Sequence, residues 1–143
     1  MTIQEKQDEI IEEFSIYEDW MDKYSYLIEL GKELKPLNPS QHSKENLIEG
    51  CVSRVWLDAE MKEGKIFFSA DSDAIITKGI IALLIKVVSG HTPAEIKDAD
   101  LYFIDKIGLR ENLSPTRANG LLAMIKRIRL YALAYDAKSK QRG

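Results

Sequence analysis

Residues 52–70 read VSRVWLDAEMKEGKIFFSA, and this stretch decides the fold that we expect. Two runs rich in β-branched and aromatic residues, Val52–Asp58 and Lys65–Ala70, lie on either side of a short turn at Lys62-Glu63-Gly64. Two such runs joined through a glycine-containing turn predict an antiparallel β-hairpin. The hairpin forms the centre of the fold, and the remaining segments are interpreted around it.

A third strand at Leu47–Glu49 would add to the hairpin and give a small antiparallel sheet of about three strands. The segment follows a connection between 36 and 46 that is rich in proline, serine and asparagine, the residues typical of an irregular loop. Cys51 would then lie at the edge of the sheet.

Helical patterns surround the hairpin on both sides along the chain. Apolar residues recur at helical spacing, and cap-then-proline pairs at Thr92-Pro93 and Ser114-Pro115 mark helix starts. We expect helices at 3–14, at 20–34, at 74–89, after Thr92-Pro93, at 101–107, and from Ser114-Pro115 towards the C-terminus. Helices packed around one small antiparallel sheet define an α+β protein.

The helix expected at 74–89 is apolar on nearly every side, so it should be a core helix. Asp71-Ser72-Asp73 has the composition of a helix N-cap, and Gly90 that of a helix end. Glycine inside a helix costs about 1 kcal/mol relative to alanine, so Gly79 predicts close packing, which we expect to be against the sheet.

The final helix has an apolar stripe and a basic face. We expect Lys126, Arg127 and Arg129 to point outward into solvent, with a docking patch as the alternative. The polar end of the chain, 138–143, should be frayed.

Composition and charge restrict the possible functions. The 143 residues fit one domain, 1–143, and are 45% hydrophobic and 30% charged, as in ordinary globular proteins. A net charge of -3 gives no general attraction to nucleic acid. The acidic start lacks the features of a secretory signal, and the most apolar stretch, 74–88, is too short to span a bilayer. We therefore expect a cytoplasmic protein with no membrane or nucleic-acid partner.

Cys51 is the only cysteine in the chain and the best candidate for chemistry. A free thiol has a pKa of about 8.5, which a nearby cation or helix N-terminus lowers to about 7. Arg54 and Arg117 are the nearest candidate cations, Arg54 by sequence and Arg117 by its place in the first turn of the last helix. The alternative is a small buried hydrophobic residue, since free cysteine is often found inside proteins.

Several kinds of cysteine chemistry need partners that are scarce in this sequence. A cysteine hydrolase or acyltransferase would need His42 or His91 beside Cys51. A dithiol exchange motif or a thiolate metal site would need further cysteines, and glycine-rich phosphate loops are absent, so we expect neither metal nor cofactor. A single thiolate can still take up a group from another sulfur and release it again. An interaction module with an inert thiol remains an alternative.

Four segments in order resemble the SufE-type sulfur acceptors of iron–sulfur cluster biogenesis. They are WMDKY (20–24) with LIELG (27–31), GCVSRVW (50–56), DSDA (71–74) with KG (78–79), and LSPTR (113–117) with GL (120–121). The resemblance covers nearly the whole chain and implies a SufE/IscU-like fold. One departure is Val52, a position where polar residues are common in this family.

The resemblance also implies a function. Cys51 would accept sulfane sulfur as a persulfide from a SufS-type, pyridoxal-phosphate-dependent cysteine desulfurase, stimulate that enzyme, and pass the sulfur to a SufBCD-type cluster scaffold. The chain itself would be a relay protein and not an enzyme, and weak homodimerisation stays open. Arg117 would lie near the acceptor cysteine and steady its thiolate or persulfide, and Val52, Val55 and Trp56 would shield the thiol until a partner docks.

Overall fold

The computed structural model describes residues 1–142 and has the α+β architecture that the sequence predicts. In chain order, the elements of this described part are α1 (Ile3–Ser15), α2 (Trp20–Lys32), β1 (Val55–Lys62), β2 (Lys65–Ser72), α3 (Ile75–Val88), α4 (Pro93–Asp98), α5 (Phe103–Lys106) and α6 (Pro115–Arg142). Single 3-10 turns lie at Pro39–Gln41 and Arg110–Asn112.

The predicted hairpin is confirmed. β1 and β2 pair antiparallel in a register that runs from Val55 opposite Ser72 to Lys62 opposite Lys65. The two turn residues both have positive φ, 52° at Glu63 and 80° at Gly64, which is the backbone that a two-residue hairpin turn requires. The first strand begins at Val55 and not at 52, because the chain bends at residues 52 and 53.

The predicted third strand is wrong, and in the described residues the sheet has two strands. Leu47 pairs with Trp56 only as an isolated bridge, supported by hydrogen bonds from Ile48 N to the Val55 oxygen and from Leu57 N to the Asn46 oxygen, each 2.8 Å. The pairing stops there because Gly50, with a φ of 94°, turns the chain away directly after Glu49.

α3 is the core helix that its composition predicts, but Gly79 packs against a helix and not against the sheet. A Cβ at Gly79 would overlap the backbone carbonyl of Leu27 in α2. A Cβ at Gly31 of α2 would in turn lie 3.0 Å from the Gly79 nitrogen. The two glycines therefore allow the backbones of α2 and α3 to approach closely.

The predicted cap of α3 is also wrong, because the aspartates before it bind elsewhere. Ala74 occupies the N-cap position without a side-chain hydrogen bond. Asp73 accepts a hydrogen bond from Arg54 N at 3.0 Å, and Asp71 lies 2.9 Å from His42 Nε2.

The caps of the two later helices, α4 and α6, are as predicted. Thr92 forms a full capping box on α4, and Ser114 Oγ accepts from the Arg117 backbone N–H at 3.3 Å.

The basic residues of α6 do not all point into solvent as predicted. Lys126 is exposed, but Arg127 and Arg129 are partly buried and donate to backbone carbonyls, Arg127 to Glu45 and Leu47 and Arg129 to Lys97. Fraying at 138–143 stays a prediction: α6 continues to Arg142, and Gly143 lies outside the described residues.

None of the helices in the described range 1–142 combines the length and the apolar character needed to cross a membrane.

Candidate functional site

Cys51 lies on the short bend between the Gly50 turn and β1, where the chain passes over α6. A Cβ at Gly50 would lie 3.3 Å from the Ala123 Cβ of α6, so the turn presses closely on that helix. The Cys51 thiol is partly buried and donates a hydrogen bond to the Gly120 carbonyl, with 3.6 Å between sulfur and oxygen. A Cβ at Gly120 would lie 3.4 Å from the sulfur, an ordinary contact distance, so the sulfur lies directly against this turn of α6.

The thiol borders a cavity of about 290 Å³ between the Cys51 bend, α3 and the first turns of α6. Its wall is mixed in character and includes Ser53, Thr77, Ile80, Arg117, Gly120 and Met124. Ile80 and Met124 are each 1% exposed, so they close the inner side with apolar surface. Arg117 is exposed and stands on the solvent side. The cavity therefore has an apolar base and a charged rim.

Burial raises the pKa of the Cys51 thiol above its ordinary value. The resting group is thus the neutral thiol at neutral pH, which agrees with its role as hydrogen-bond donor to Gly120. Among residues 1–142, no cation forms an ion pair or hydrogen bond with the sulfur. Arg117 shares the cavity, whereas Arg54 is exposed and is not part of the wall.

Neither histidine lies in the cavity wall. His42 binds Asp71 and packs edge-on against Trp56, with 4.7 Å between ring centroids. Burial would raise the pKa of Asp71, but hydrogen bonds from His42, the Ser72 backbone and Lys78 outweigh it and lower that pKa. This histidine is therefore engaged by a carboxylate away from the thiol.

His91 is buried at the start of α4, where its Nδ1 lies 3.4 Å from Glu95 Oε2. Burial lowers its pKa, and the nearby Lys6 acts in the same direction. In the part of the chain that the structure describes, the Cys–His pair that a hydrolase would need is not assembled.

The predicted shield around the cysteine is only partly right. Val52 borders the cavity but is 83% exposed, so it gives the thiol little cover. Val55 is fully buried, and Trp56 packs against His42. The cover comes from α3 and α6, through residues that sequence reasoning did not place at the site: Thr77, Ile80 and Met124. Thr77 could have been noticed as a hydroxyl among the inward, apolar positions of α3.

The loop before the cysteine is fixed to α6 by an arginine. Arg127 donates to the carbonyl oxygens of Glu45 and Leu47, both in the segment that leads to Cys51. Its guanidinium also lies over the ring of Tyr131, 5.8 Å from the centroid. The same helix thus holds both the loop and the thiol.

His, Cys, Asp and Glu side chains within residues 1–142 form no group of three or more that could hold a metal ion.

The fold and the site together define a class: a small α+β protein with one thiol held at the mouth of a cavity between two helices. A family model described as "SufE: Fe-S metabolism associated domain" matches residues 8–132. The chain therefore belongs to the SufE family, whose members are associated with iron–sulfur metabolism.

Relatives of similar length support this assignment. The chain is 43% identical over 127 residues to an uncharacterised SufE-like protein of Rhizobium etli, covering 85% of this chain and 86% of the relative. It is 37% identical over 127 residues to an uncharacterised SufE-like protein of Synechocystis, covering 89% and 80%. The fold is similar to the solution structure of a hypothetical protein from Thermus thermophilus, with a TM-score of 0.75, 21% identity and coverage of 90% and 94%.

Proposed function

We propose that this chain is a sulfur acceptor and carrier, formed by one SufE-like domain over 1–143. Cys51 takes sulfane sulfur from a SufS-type cysteine desulfurase and passes it to a SufBCD-type cluster scaffold. The chain also stimulates the desulfurase. The observation that carries the proposal is the chain's single thiol, held in a cavity beside α6 in a protein of the SufE family. The chain is a relay without turnover or cofactor of its own, and its place is the cytoplasm.

The transfer step is a thiol exchange. The Cys51 sulfur attacks the outer sulfur of the desulfurase persulfide, and a new S–S bond forms as the donor's S–S bond breaks. The donor thiolate leaves with the electron pair of the broken bond and takes up the proton that Cys51 releases. The step is balanced without an external oxidant or reductant, so it needs no cofactor in this chain.

The neutral, partly buried resting thiol suits a carrier, because it limits reactions with stray oxidants and thiols. Activation would come with docking, when the bend carrying Cys51 moves towards the desulfurase. Arg117 is exposed on the rim of the same cavity, where it would stabilise the thiolate as the sulfur moves out of the cavity.

The surface around the cavity offers a place for that docking. Val52 is 83% exposed and Ile75 is 67% exposed, the first next to Cys51 and the second two residues before Thr77 of the cavity wall. Exposed apolar side chains beside a reactive group favour a protein interface over free solvent. We propose that they contact the desulfurase.

Desulfurase turnover tests the function. Alanine formation from L-cysteine by a SufS-type desulfurase is measured with wild-type chain and with Cys51→Ser, under limiting reductant. The proposal predicts a clear rate increase with the wild type and none with the variant. Equal stimulation by both proteins would show that Cys51 is not the acceptor.

A further inference from the structure

Thr77 is an unusual residue in the wall of the Cys51 cavity. It lies in α3, whose inward positions are otherwise apolar, and it is only 6% exposed. Buried hydroxyl groups are normally hydrogen-bonded, because leaving one without a partner costs free energy. A buried threonine beside a reactive cysteine therefore needs a partner.

No residue in 1–142 supplies that partner to the Thr77 side chain. Among the described side-chain nitrogen and oxygen atoms that are both sealed from solvent and unpartnered, the single case is His91 Nε2. Since the Thr77 hydroxyl has no partner and is not among these solvent-inaccessible atoms, it must lie against accessible space. The open space that Thr77 borders is the Cys51 cavity.

Thr77 and Cys51 border the same cavity without bonding to each other. The Cys51 sulfur uses its hydrogen bond on the Gly120 carbonyl, at 3.6 Å. A second sulfur attached to Cys51 would extend the side chain by an S–S bond of about 2.05 Å into this space. The free hydroxyl therefore borders the space that a second sulfur would enter.

We propose that Thr77 binds the outer sulfur of a Cys51 persulfide through its hydroxyl, an inference that rests on the proposed carrier function. A persulfide ionises more readily than a thiol, so its outer sulfur is an anion at neutral pH. Ile80 and Met124 close the inner side of the cavity and have no N–H or O–H to offer. An anion enclosed there needs a donor at the same depth. The other side chains of the wall that carry an O–H or N–H are more exposed than Thr77: Ser53, Ser114, Thr116 and Arg117. The Thr77 hydroxyl is the buried donor.

The test uses inorganic polysulfide, so that it does not depend on any desulfurase. The Cys51 thiolate attacks a sulfur of the polysulfide chain, and the shortened polysulfide leaves with the electron pair of the broken S–S bond. Alkylation of the Cys51 thiol and of the Cys51 persulfide is then followed across pH by mass spectrometry of the Cys51 peptide. The proteins compared are wild type, Thr77→Val, which removes the hydroxyl, and Thr77→Ser, which keeps it.

We expect Thr77→Val to raise the midpoint pH of persulfide alkylation by about one unit, the tenfold effect of losing a hydrogen bond to a charged group. The thiol profile of the same variant should match wild type, and Thr77→Ser should stay close to wild type in both profiles. A merely structural role for Thr77 would move the thiol and persulfide profiles together.

Identical persulfide profiles for wild type and Thr77→Val, with matching thermal unfolding, would overturn the assignment of Thr77. The carrier function would still stand in that case. If polysulfide loads Cys51 with the predicted Thr77 dependence but a desulfurase with L-cysteine does not load it, the carrier function is wrong and the binding property of Thr77 is supported.

Discussion

At the scale of single residues, the environment of Cys51 suppresses its reactivity at rest. Burial raises the thiol pKa above the ordinary value of about 8.5. The protonated thiol donates to the Gly120 carbonyl. The folded state therefore disfavours the thiolate, which is the charged form of this group. The thiolate therefore appears only as the pH rises beyond the range in which an exposed cysteine ionises.

This gives a pH prediction for the free protein. Alkylation of Cys51 by iodoacetamide should be slow at pH 7 and should rise with a midpoint above that of glutathione measured alongside. Addition of the desulfurase, with its own cysteine changed to serine, should speed the reaction at pH 7. A midpoint below that of glutathione would mean that a cation such as Arg117 dominates over burial.

Sequence reasoning singled out the candidate residue but not its environment. Cys51 stands out because it is the only cysteine, and Arg117 because of its motif. Thr77 lies 26 positions from Cys51 and was not singled out, because its closeness to the thiol depends on how α3 packs beside α6. The small share of Val52 in the shielding could not be foreseen for the same reason, since only the fold shows that its side chain is mostly exposed.

At the scale of elements, α6 organises the site. Gly120 receives the thiol, and Arg127, two turns further along the helix, donates to the carbonyls of Glu45 and Leu47 in the loop before Cys51. The helix thus fixes the cysteine bend and the loop that delivers it. Loss of the Arg127 side chain should make the loop before Cys51 more mobile without removing any contact of the Cys51 sulfur.

We expect Arg127→Ala to destabilise the protein by about 1 to 2 kcal/mol, because partly buried carbonyls lose charged hydrogen-bond donors. Cys51 alkylation at pH 7 should become several-fold faster in this variant. The matched control is Lys126→Ala, since Lys126 is its exposed neighbour on the same helix and should change stability by less than about 0.5 kcal/mol. Denaturant unfolding and alkylation rates check both effects, and equal behaviour of the two variants would contradict the anchoring role.

Local signals predicted most elements but not their long-range partners. The hairpin turn, the capping box at Thr92 and the start of α6 depend on neighbouring residues, and they were predicted correctly. The cap of α3 was not, because Asp71 and Asp73 bind partners far along the chain. Gly79 signalled close packing, yet only the fold shows that α2 is the partner.

At the scale of the whole molecule, the face that carries the cavity is also the face proposed to dock the desulfurase. Val52→Asp or Ile75→Asp would place a charge at the centre of the proposed interface. We expect either to weaken desulfurase binding about tenfold, roughly 1.4 kcal/mol, since each removes apolar contact and adds an unpaired charge. Thermal unfolding should hardly change, because both side chains are mostly exposed.

The control for this prediction lies on the same molecule. Leu133 is 52% exposed on α6, and it follows Gly120 by 13 residues, or about 20 Å along the helix. Leu133→Asp should bind the desulfurase as wild type does. If it weakens binding as much as Val52→Asp, the docking face has been placed wrongly.

The most direct measurement is the mass of the Cys51 peptide after the protein has been incubated with a SufS-type desulfurase and L-cysteine and then alkylated. The account predicts a peptide heavier by one sulfur atom, absent when L-cysteine is omitted and absent from Cys51→Ser. A Cys51 peptide that gains no sulfur, while the desulfurase itself carries a persulfide and turns over, would contradict it.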